Sequence, residues 1–489
     1  DFPEALNNRA YTLWAGLGLL DPAARDLERL LAIDPDFPDA RGESLLLRLY
    51  GGDWHDYDAQ VAAIDAGVRA GRRVVRPFVY QAVSQSPADL QACSRIFAEA
   101  RFPGVGAVAP GPAGTGKIRI GYVSADFRDQ ATAHLMAGLY ELHDKEKFEI
   151  VAFDNGGSDD SEVRRRMEAA FDKFVPIAAL TDEAAAARVR GEKIDVLVNL
   201  NGYFGAPRMG IFVRRPAPLQ VHYLGFPATL GAPYIDYIIA DRMVIPEDER
   251  QFYTEQVVWL PDTYQVNDSK RVIAPDTSRA AQGLPEDSFV FCNFNQSYKL
   301  APATFAIWMK ILKQVPGSML WLLDSFPAFR ENLWHEAGRH GVERERLIFA
   351  PPAAVEEHLA RLKLADLFLD TLPYNAHTTA SDALWAGLPL LTLRGTAFPG
   401  RVAASLLAAA GLPELITQTP EEYVQLAIAL AGDKLRLSGL REKLAKNRLA
   451  CPLFNTARFA RHIEAAFTTM VQIARRGEPP RSFSVEPLP

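Results

Sequence analysis

The chain has 489 residues, 48% of them hydrophobic and 23% charged, the balance of a soluble globular protein of about three domains rather than a disordered one. Lys+Arg 53 against Asp+Glu 60 leaves a formal charge of −7, which argues against nucleic acid as the main partner. No apolar run approaches the ~18 residues of a membrane span. Cys93, Cys292 and Cys451 are far apart and form no C-x-x-C pair, so a disulfide framework and a cysteine zinc site are both disfavoured, and a reducing, cytoplasmic setting is expected. The sequence begins at Asp1 without a methionine, which leaves a preceding targeting segment open.

Residues 1–102 read as helix pairs. The run from Tyr11 to Leu20 is apolar on nearly every side, and Asp21-Pro22 then starts a new helix that Asp21 is placed to cap. That helix carries Leu27, Leu30 and Leu31 and stops at Asp34-Pro35; the phrase Leu31-Ala-Ile-Asp-Pro-Asp-Phe-Pro-Asp-Ala40 leads into another around Leu45 to Leu49. Helix, Asp-Pro turn and Ala-containing helix start resemble the junction of two tetratricopeptide repeats, with a plain helical bundle as the alternative. Stacked helix pairs offer a groove suited to peptide segments. Asp34-Pro-Asp36 and Asp56-Tyr-Asp58 match the Asp-x-Asp metal pattern of many sugar transferases, but both fall among helices and read as helix-end and surface carboxylates.

Residues 103–117 are rich in Gly, Pro and Ala, as a linker is. Gly111 to Lys117 also satisfies G-x-x-x-x-G-K. A phosphate loop needs a strand before it, a helix after it and Ser or Thr following the lysine. Here Ile118 follows and opens a strand, so the motif is rejected.

From Ile118 onward, short apolar runs alternate with amphipathic helices. Strands are expected at 118–123, 148–153, 194–200, 219–224 and 235–240, with helices near 131–142, 161–173 and 181–190. A second set has strands at 288–293, 318–323, 346–350, 366–370 and 389–393, with helices near 302–315, 327–340, 354–363, 378–386 and 400–410. Buried strands with intervening helices imply parallel sheets covered on both faces. The expected architecture is therefore two doubly wound, Rossmann-like lobes, 118–275 and 276–489, with a cleft between them. Ligands bind outside the carboxyl ends of such strands.

Three strand ends carry chemistry. Val123-Ser-Ala-Asp-Phe127 places Asp126 at the end of the first strand, with His134 one turn into the next helix. The pair suits proton acceptance from a hydroxyl, or else Asp126 caps the helix and His134 packs beneath it. Asn293-Phe-Asn-Gln-Ser-Tyr-Lys299 places Lys299 after a strand of the second lobe, where a compact cation suits a diphosphate; the alternative is a surface lysine. Tyr374-Asn-Ala-His-Thr-Thr-Ala-Ser-Asp382 puts His377, Thr378 and Thr379 at a helix start that favours an anion, and Asp382 one turn in, within reach of a ribose hydroxyl.

These residues carry a resemblance to the protein O-linked N-acetylglucosamine transferases, which join tetratricopeptide repeats to a two-lobed GT-B glycosyltransferase. It runs from Ile118 to about residue 470 and includes Gly-Tyr-Val-Ser-Ala-Asp-Phe (121–127), Val-Asn-Leu-Asn-Gly-Tyr (198–203), Leu-Gly-Phe-Pro (224–227), Phe-Asn-Gln-Ser-Tyr-Lys (294–299), Glu-Glu-His (356–358), Ala-His-Thr-Thr (376–379) and Arg-Val-Ala-Ala-Ser (401–405). The resemblance implies inverting transfer of N-acetylglucosamine from UDP-GlcNAc to Ser or Thr hydroxyls of proteins. It assigns Lys299, His377, Thr378 and Thr379 to the diphosphate and Asp382 to the ribose. Ala353, His358 and Arg361 then face the uracil, and Gln296 also lines the nucleotide site. Tyr203, Leu224, Gly225 and Pro227 surround the sugar or acceptor. The acceptor protein is expected on the helical repeats, and homo-oligomerisation stays open.

Four features depart from the animal members: Gln130 in place of a histidine, Val355 in place of a lysine, Ala376 in place of a glycine, and a short join between the lobes. They resemble a bacterial member with a shorter repeat array. No His/Asp/Glu cluster has metal-ligand spacing, so Lys299 and the helix start at Thr378-Thr379 are expected to neutralise the leaving UDP without a metal. Asp126 and His134 are the candidates for the base, with a water chain or a donor phosphate oxygen as further options. The competing readings are a GDP-fucose-dependent O-fucosyltransferase and a non-catalytic peptide-binding scaffold. His55, His335 and His340 read as polar helix or loop residues, His222 as structural after a strand, and His143 and His462 as helix-surface residues.

Overall fold

In the computed structural model, which describes residues 2–106, 111 and 116–488, the N-terminal segment folds as six α-helices, with a π-helical turn at Thr12–Gly16 after the first. They are α1 (Pro3–Tyr11), α2 (Leu20–Ile33), α3 (Ala40–Gly51), α4 (Tyr57–Arg69), α5 (Pro77–Tyr80) and α6 (Pro87–Arg101). The expected linker and its P-loop-like run fall largely on 107–110 and 112–115, outside the described residues. Ala23, Leu27 and Leu30 lie on one stripe of α2 because they recur at helical spacing; Ala23 and Leu27 meet Ala10 of α1 and Leu47 of α3, and Leu30 meets Leu6 and Ala40. Neighbouring helices pack in chain order, α1 on α2, α2 on α3 and α3 on α4.

The Asp-x-Asp carboxylates are helix-end groups. Asp34 accepts from the Asp36 amide at 3.1 Å, and Asp36 pairs with Arg72 at 2.7 Å. Asp56, in the left-handed region, pairs with His55 at 3.1 Å. Asp21 is not the cap expected of it. Helix α2 begins at Leu20 with Leu19 at its N-cap, so Asp21 sits in the first turn, where it still favours the helix dipole.

The chain forms two compact units, and neither follows the consecutive boundaries expected at 118 and 275. One unit combines residues 1–93 with 272–448, and the other combines 94–271 with 449–489, so α6 is divided between them. The helical segment is thus part of a larger unit rather than a free-standing domain.

The unit containing residues 94–271 has β1 (Ile118–Ser124), β2 (Phe148–Asp154), β3 (Lys173–Pro176), β4 (Val196–Asn199), β5 (Leu219–His222), β6 (Tyr237–Asp241) and β7 (Gln256–Leu260). Helices α7 (Ala131–Leu142), α8 (Glu162–Ala170), α9 (Asp182–Gly191) and α10 (Met209–Val213) lie between strands. The order is β7-β6-β5-β4-β1-β2-β3, all parallel, and Phe483–Ser484 adds a further parallel strand beside β7. Strands β3, β7 and Phe483–Ser484 were not expected from the sequence. Two of them are short edge strands whose polar residues break the apolar run.

The C-terminal segment enters this unit through the helix Thr456–Arg475, which packs on α7, β5 and β7. Two histidines expected on helix surfaces are buried here instead. His143 donates from Nδ1 to Glu464 at 3.1 Å and meets the Tyr122 hydroxyl at 2.9 Å; burial holds its pKa below the ordinary value. His462 is 1% exposed and accepts from the Leu488 amide at 3.0 Å. Periodicity marks the apolar side of a helix but does not reveal that a polar residue on that side has a partner from a distant segment.

The other unit has β8 (Val290–Asn293), β9 (Met319–Leu323), β10 (Leu347–Ala350), β11 (Leu367–Leu369), β12 (Leu390–Leu393) and β13 (Ile416–Thr417), in the order β10-β9-β8-β11-β12-β13, all parallel. Its helices are α11 (Pro302–Gln314), α12 (Pro327–Arg339), α13 (Val355–Leu362), α14 (Thr378–Trp385), α15 (Val402–Ala409), α16 (Pro420–Gly432) and α17 (Lys434–Asn447). Helix α3 packs on α12 and on the turn after β8. Among the described residues, no helix is long and apolar enough to cross a membrane.

Glu464 is one polar anchor of the C-terminal segment, beside Arg458 and Thr456, since it also accepts from the Asp144 amide at 2.7 Å and pairs with Arg461 at 2.9 Å. Glu464→Ala is expected to leave His143 and the Asp144 amide unsatisfied and to cost about 2–4 kcal/mol. Urea unfolding followed by fluorescence measures this; an unchanged midpoint would show that Glu464 is not among the ties that hold the segment.

Candidate active site

In the unit with residues 272–448, strand order reverses between β8 and β11, so the loops that follow them part and leave a crevice at their carboxyl ends. The sequence fills both loops with short polar side chains. Asn293, ending β8, donates to the Leu369 carbonyl at 2.7 Å and accepts from the Asn295 amide at 3.0 Å. Asn295 donates to the Thr371 hydroxyl at 2.9 Å, and that hydroxyl donates to the Tyr374 carbonyl at 2.7 Å. The Thr379 hydroxyl donates to the Asn295 side-chain oxygen, which ties the start of α14 to the loop after β8.

Asp370 is the hub of the second loop. It is 3% exposed, and its carboxylate accepts from the Thr371 amide at 2.8 Å, the Ala376 amide at 2.6 Å and the Thr392 hydroxyl at 2.6 Å. Burial raises its pKa to about 7 against the pull of these donors and of Lys299. The Lys299 ammonium donates to the Asn375 carbonyl at 3.0 Å and lies 4.1 Å from the centroid of the Tyr374 ring. Its pKa is lowered to about 7, mainly by burial, with Asp370 acting in the opposite direction. Lys299 is therefore no ordinary surface lysine: it is half-buried, and Asp370 attracts it without a direct ion pair.

His377 precedes α14. Its Nε2–H donates to the Pro399 carbonyl at 3.1 Å, and burial together with the Lys299 charge holds its pKa well below the usual value. The ring is neutral with its one donor engaged, so the nitrogen it leaves over is an acceptor and offers no N–H to the diphosphate that the resemblance assigns to it. Thr378 and Thr379 open the helix as expected, and Asp382 is buried one turn in, at 8% exposure.

Beside this crevice, Arg361 donates to the Pro351 carbonyl at 2.6 Å and to His358 Nδ1 at 3.0 Å, and its guanidinium lies 4.6 Å from the Phe294 ring centroid. Burial lowers its pKa. Arg361 thereby holds the Pro351–Ala353 backbone in place. A pocket of about 490 Å³ is lined by Ala353, Arg361, Glu357, Ala274 and Thr277 among others. Gln296 is exposed at the turn leading to Lys299.

The other unit has its own reversal, between β1 and β4. There Asn201 donates to the Asp126 carboxylate at 2.7 Å and accepts from the Ala125 amide at 2.9 Å. Burial raises the Asp126 pKa. Asp126 does not cap α7; the Gln130 side chain does, accepting from the Thr132 amide at 2.7 Å. His134 pairs with Asp129 at 2.7 Å, and no hydrogen bond joins it to Asp126.

Tyr203, Leu224, Gly225 and Pro227 fall on loops after β4 and β5 of this unit. Leu224 has φ 71, a strained value for a branched side chain, and a Cβ on Gly225 would lie 1.9 Å from the Leu200 carbonyl oxygen. Three groups hold this turn. His222, its pKa lowered to about 4 by burial, donates to the Phe226 carbonyl at 2.7 Å. Tyr203 donates to the Leu230 carbonyl at 2.6 Å. Buried Glu255 accepts from the Thr229 hydroxyl at 2.5 Å and the Leu230 amide at 2.7 Å.

Asn201, Glu255, Asn295, Asp370 and Tyr374 carry these sites and were not singled out from the sequence. Asn201, Asn295 and Tyr374 lie in the strand-end motifs and Asp370 closes the strand expected at 366–370, where an acidic or amide residue ending an apolar run is the available signal. Glu255 gave none. Among the described residues, no group of three His, Cys, Asp or Glu side chains gathers to hold a metal.

Asp370→Ala is expected to strand three donors and to cost about 3–5 kcal/mol, whereas Asp370→Asn, which keeps an acceptor for the two amides, costs about 1 kcal/mol. Calorimetric unfolding of the two variants checks this; equal losses would remove the donor network as the cause.

The sequence profile of glycosyl transferase family 41 matches residues 109–276 and 273–463. A probable UDP-N-acetylglucosamine–peptide N-acetylglucosaminyltransferase of Arabidopsis thaliana, SEC, is 41% identical over 377 residues, 76% of this chain and 38% of the plant protein. The UDP-N-acetylglucosamine–peptide N-acetylglucosaminyltransferase of Caenorhabditis elegans is 29% identical over 476 residues, 74% of this chain and 41% of that protein. The chain thus spans about two fifths of the length of these relatives. An O-GlcNAc transferase structure from Thermobaculum terrenum superposes with a TM-score of 0.83 at 28% identity, covering 97% of this chain and 92% of that one. With a helical N-terminal segment, two Rossmann-like sheets and a family profile running through both, the chain belongs to glycosyl transferase family 41.

Proposed function

We propose that the chain transfers N-acetylglucosamine from UDP-GlcNAc to Ser or Thr hydroxyls of proteins, with inversion and without a metal ion. The observation that carries this reading is Lys299, a poorly solvated cation set at the β8/β11 switch point near the start of α14. A departing UDP develops negative charge on its diphosphate. A half-buried lysine with no direct ion pair gains most from that charge, and the N–H groups of Thr378 and Thr379 and the Thr378 hydroxyl add to it. Asp382 suits the ribose, and the pocket at Ala353 and Arg361 suits the base, with Gln296 and His358 at its approaches. The UDP-GlcNAc named for the relatives fits such a set.

Asp126 is the better suited of the two base candidates. Its raised pKa favours holding a proton taken from a hydroxyl, while His134 is committed to Asp129. The turn from Leu224 to Pro227, with Tyr203, is assigned to the sugar and acceptor. An acceptor protein is assigned to the helical segment. The three cysteines are buried and free, which suits a reducing, cytoplasmic setting.

Lys299→Ala is expected to lower transfer from UDP-GlcNAc to a Ser-containing peptide by about 100-fold or more with the fold intact, and EDTA is expected to change nothing. Turnover at the wild-type rate would remove lysine from the mechanism, and a metal requirement would remove the proposed charge balance. Wild-type rates in both Asp126→Asn and His134→Gln would exclude them as base.

The lowered Lys299 pKa also sets the pH dependence of UDP binding. Below about pH 7 the lysine is already charged and affinity is level. Above it, binding has to take up a proton, so the UDP Kd rises by about tenfold per pH unit until the pKa of the complex is reached. Titration calorimetry in two buffers of different ionisation heat reads the proton uptake directly; none at pH 8 would contradict the assignment.

A further inference from the structure

We infer that Tyr374 is a positioning residue for Lys299, its ring face holding the ammonium in register beside the Asn375 carbonyl, and that helices α3 and α5 belong to the donor site because they hold that ring. The inference rests on the reading of Lys299 as the diphosphate's cation. An ammonium has three N–H donors. One meets the Asn375 carbonyl at 3.0 Å, and the Tyr374 ring, with its centroid 4.1 Å from Nζ, takes the direction that water would otherwise fill. Among the described residues the third has no partner, so the two contacts leave one donor for an anion. Removing the ring would let a flexible four-carbon stem swing while its carbonyl contact stayed available.

The ring is itself held. Tyr374 is 5% exposed and lies 4.8 Å from the His377 ring, 6.1 Å from Tyr298 and 6.4 Å from Phe78 of α5. Tyr298 stands between Phe78, at 5.7 Å, and Tyr50 of α3, at 5.3 Å. Ser297, two residues before the lysine, donates to the Tyr50 carbonyl at 3.0 Å. Both the turn that carries Lys299 and the ring beneath it therefore lean on the helical segment. A segment that served only to present acceptor peptides would need none of these contacts.

The test compares Tyr374→Leu with Tyr374→Phe in the full chain. Two readouts are used: UDP affinity by calorimetry, and the Lys299 titration by NMR of ¹³Cε-lysine without nucleotide, its signal assigned by its loss in Lys299→Ala. Tyr374→Leu is expected to weaken UDP binding by about tenfold and to move the lysine midpoint down, while Tyr374→Phe keeps both within about twofold of wild type. Phe78→Leu, one ring further away, is expected to shift both readouts in the same direction by a smaller amount, and it serves as the test if Tyr374→Leu does not fold. A lysine midpoint at or above the wild-type value in the Leu variant, or a Phe variant that behaves like it, overturns the inference. A wild-type chain that does not bind UDP defeats the donor reading instead, and the NMR titration still decides the role of the ring.

Discussion

A carboxylate buried at the carboxyl end of β11 is the constraint around which the crevice between β8 and β11 is arranged. Asp370 has no ion pair to offset its desolvation; it is tolerated because two amides and a hydroxyl point at it. Those same bonds dictate the path of residues 371–376. That path sets the Asn375 carbonyl where Lys299 meets it and delivers His377, Thr378 and Thr379 to the start of α14. The long-range attraction between Asp370 and Lys299 then keeps a partly dehydrated ammonium available. Charge, loop and helix start are thus one device, and none of its parts is set independently of the carboxylate.

The second sheet solves a parallel problem with different residues. At its own reversal of strand order, Asn201 bridges the Ala125 amide and the Asp126 carboxylate, so a buried acid is held by a neutral amide and not by a cation. Burial raises its proton affinity, and the Asn201 hydrogen bond and the Arg128 charge oppose that rise without cancelling it. The turn at Leu224 and Gly225 is strained, and the strain is supported from below by His222, Tyr203 and Glu255. In both units the candidate site residues lie on short loops, many of whose polar side chains are spent on one another.

The doubly wound sheets were legible because parallel strands covered on both faces read as unbroken apolar runs, and those from Ile118 to Leu393 fell within a few residues of their places. Lys299 and the His377-Thr378-Thr379 helix start were legible because strand ends in such sheets face ligands. What escaped notice depends on partners far apart in sequence. Tyr374 and Phe78 are nearly 300 positions apart (374 − 78 = 296), and neither suggests the other. His143 and Glu464 are separated by 321 positions, so a buried histidine looked like a surface one. Glu255 supports a loop about 25 residues behind it, which nothing in its neighbourhood announces. The interleaving of the units was hidden for the same reason, since hydrophobic periodicity marks that a helix is covered and not by what.

That interleaving has a consequence for how the protein is made. Residues 1–93 leave the ribosome well before the strands β8 to β13 with which they share a unit, and in between the chain must lay down most of the other sheet. Tyr50 and Phe78 must therefore wait, with their apolar surface uncovered, until Tyr298 and Tyr374 have been synthesised. The other unit waits in turn for its final helix, Thr456–Arg475. A chain built this way has high contact order and cannot complete either unit early, which places its period of greatest exposure to aggregation and proteolysis during translation rather than after it.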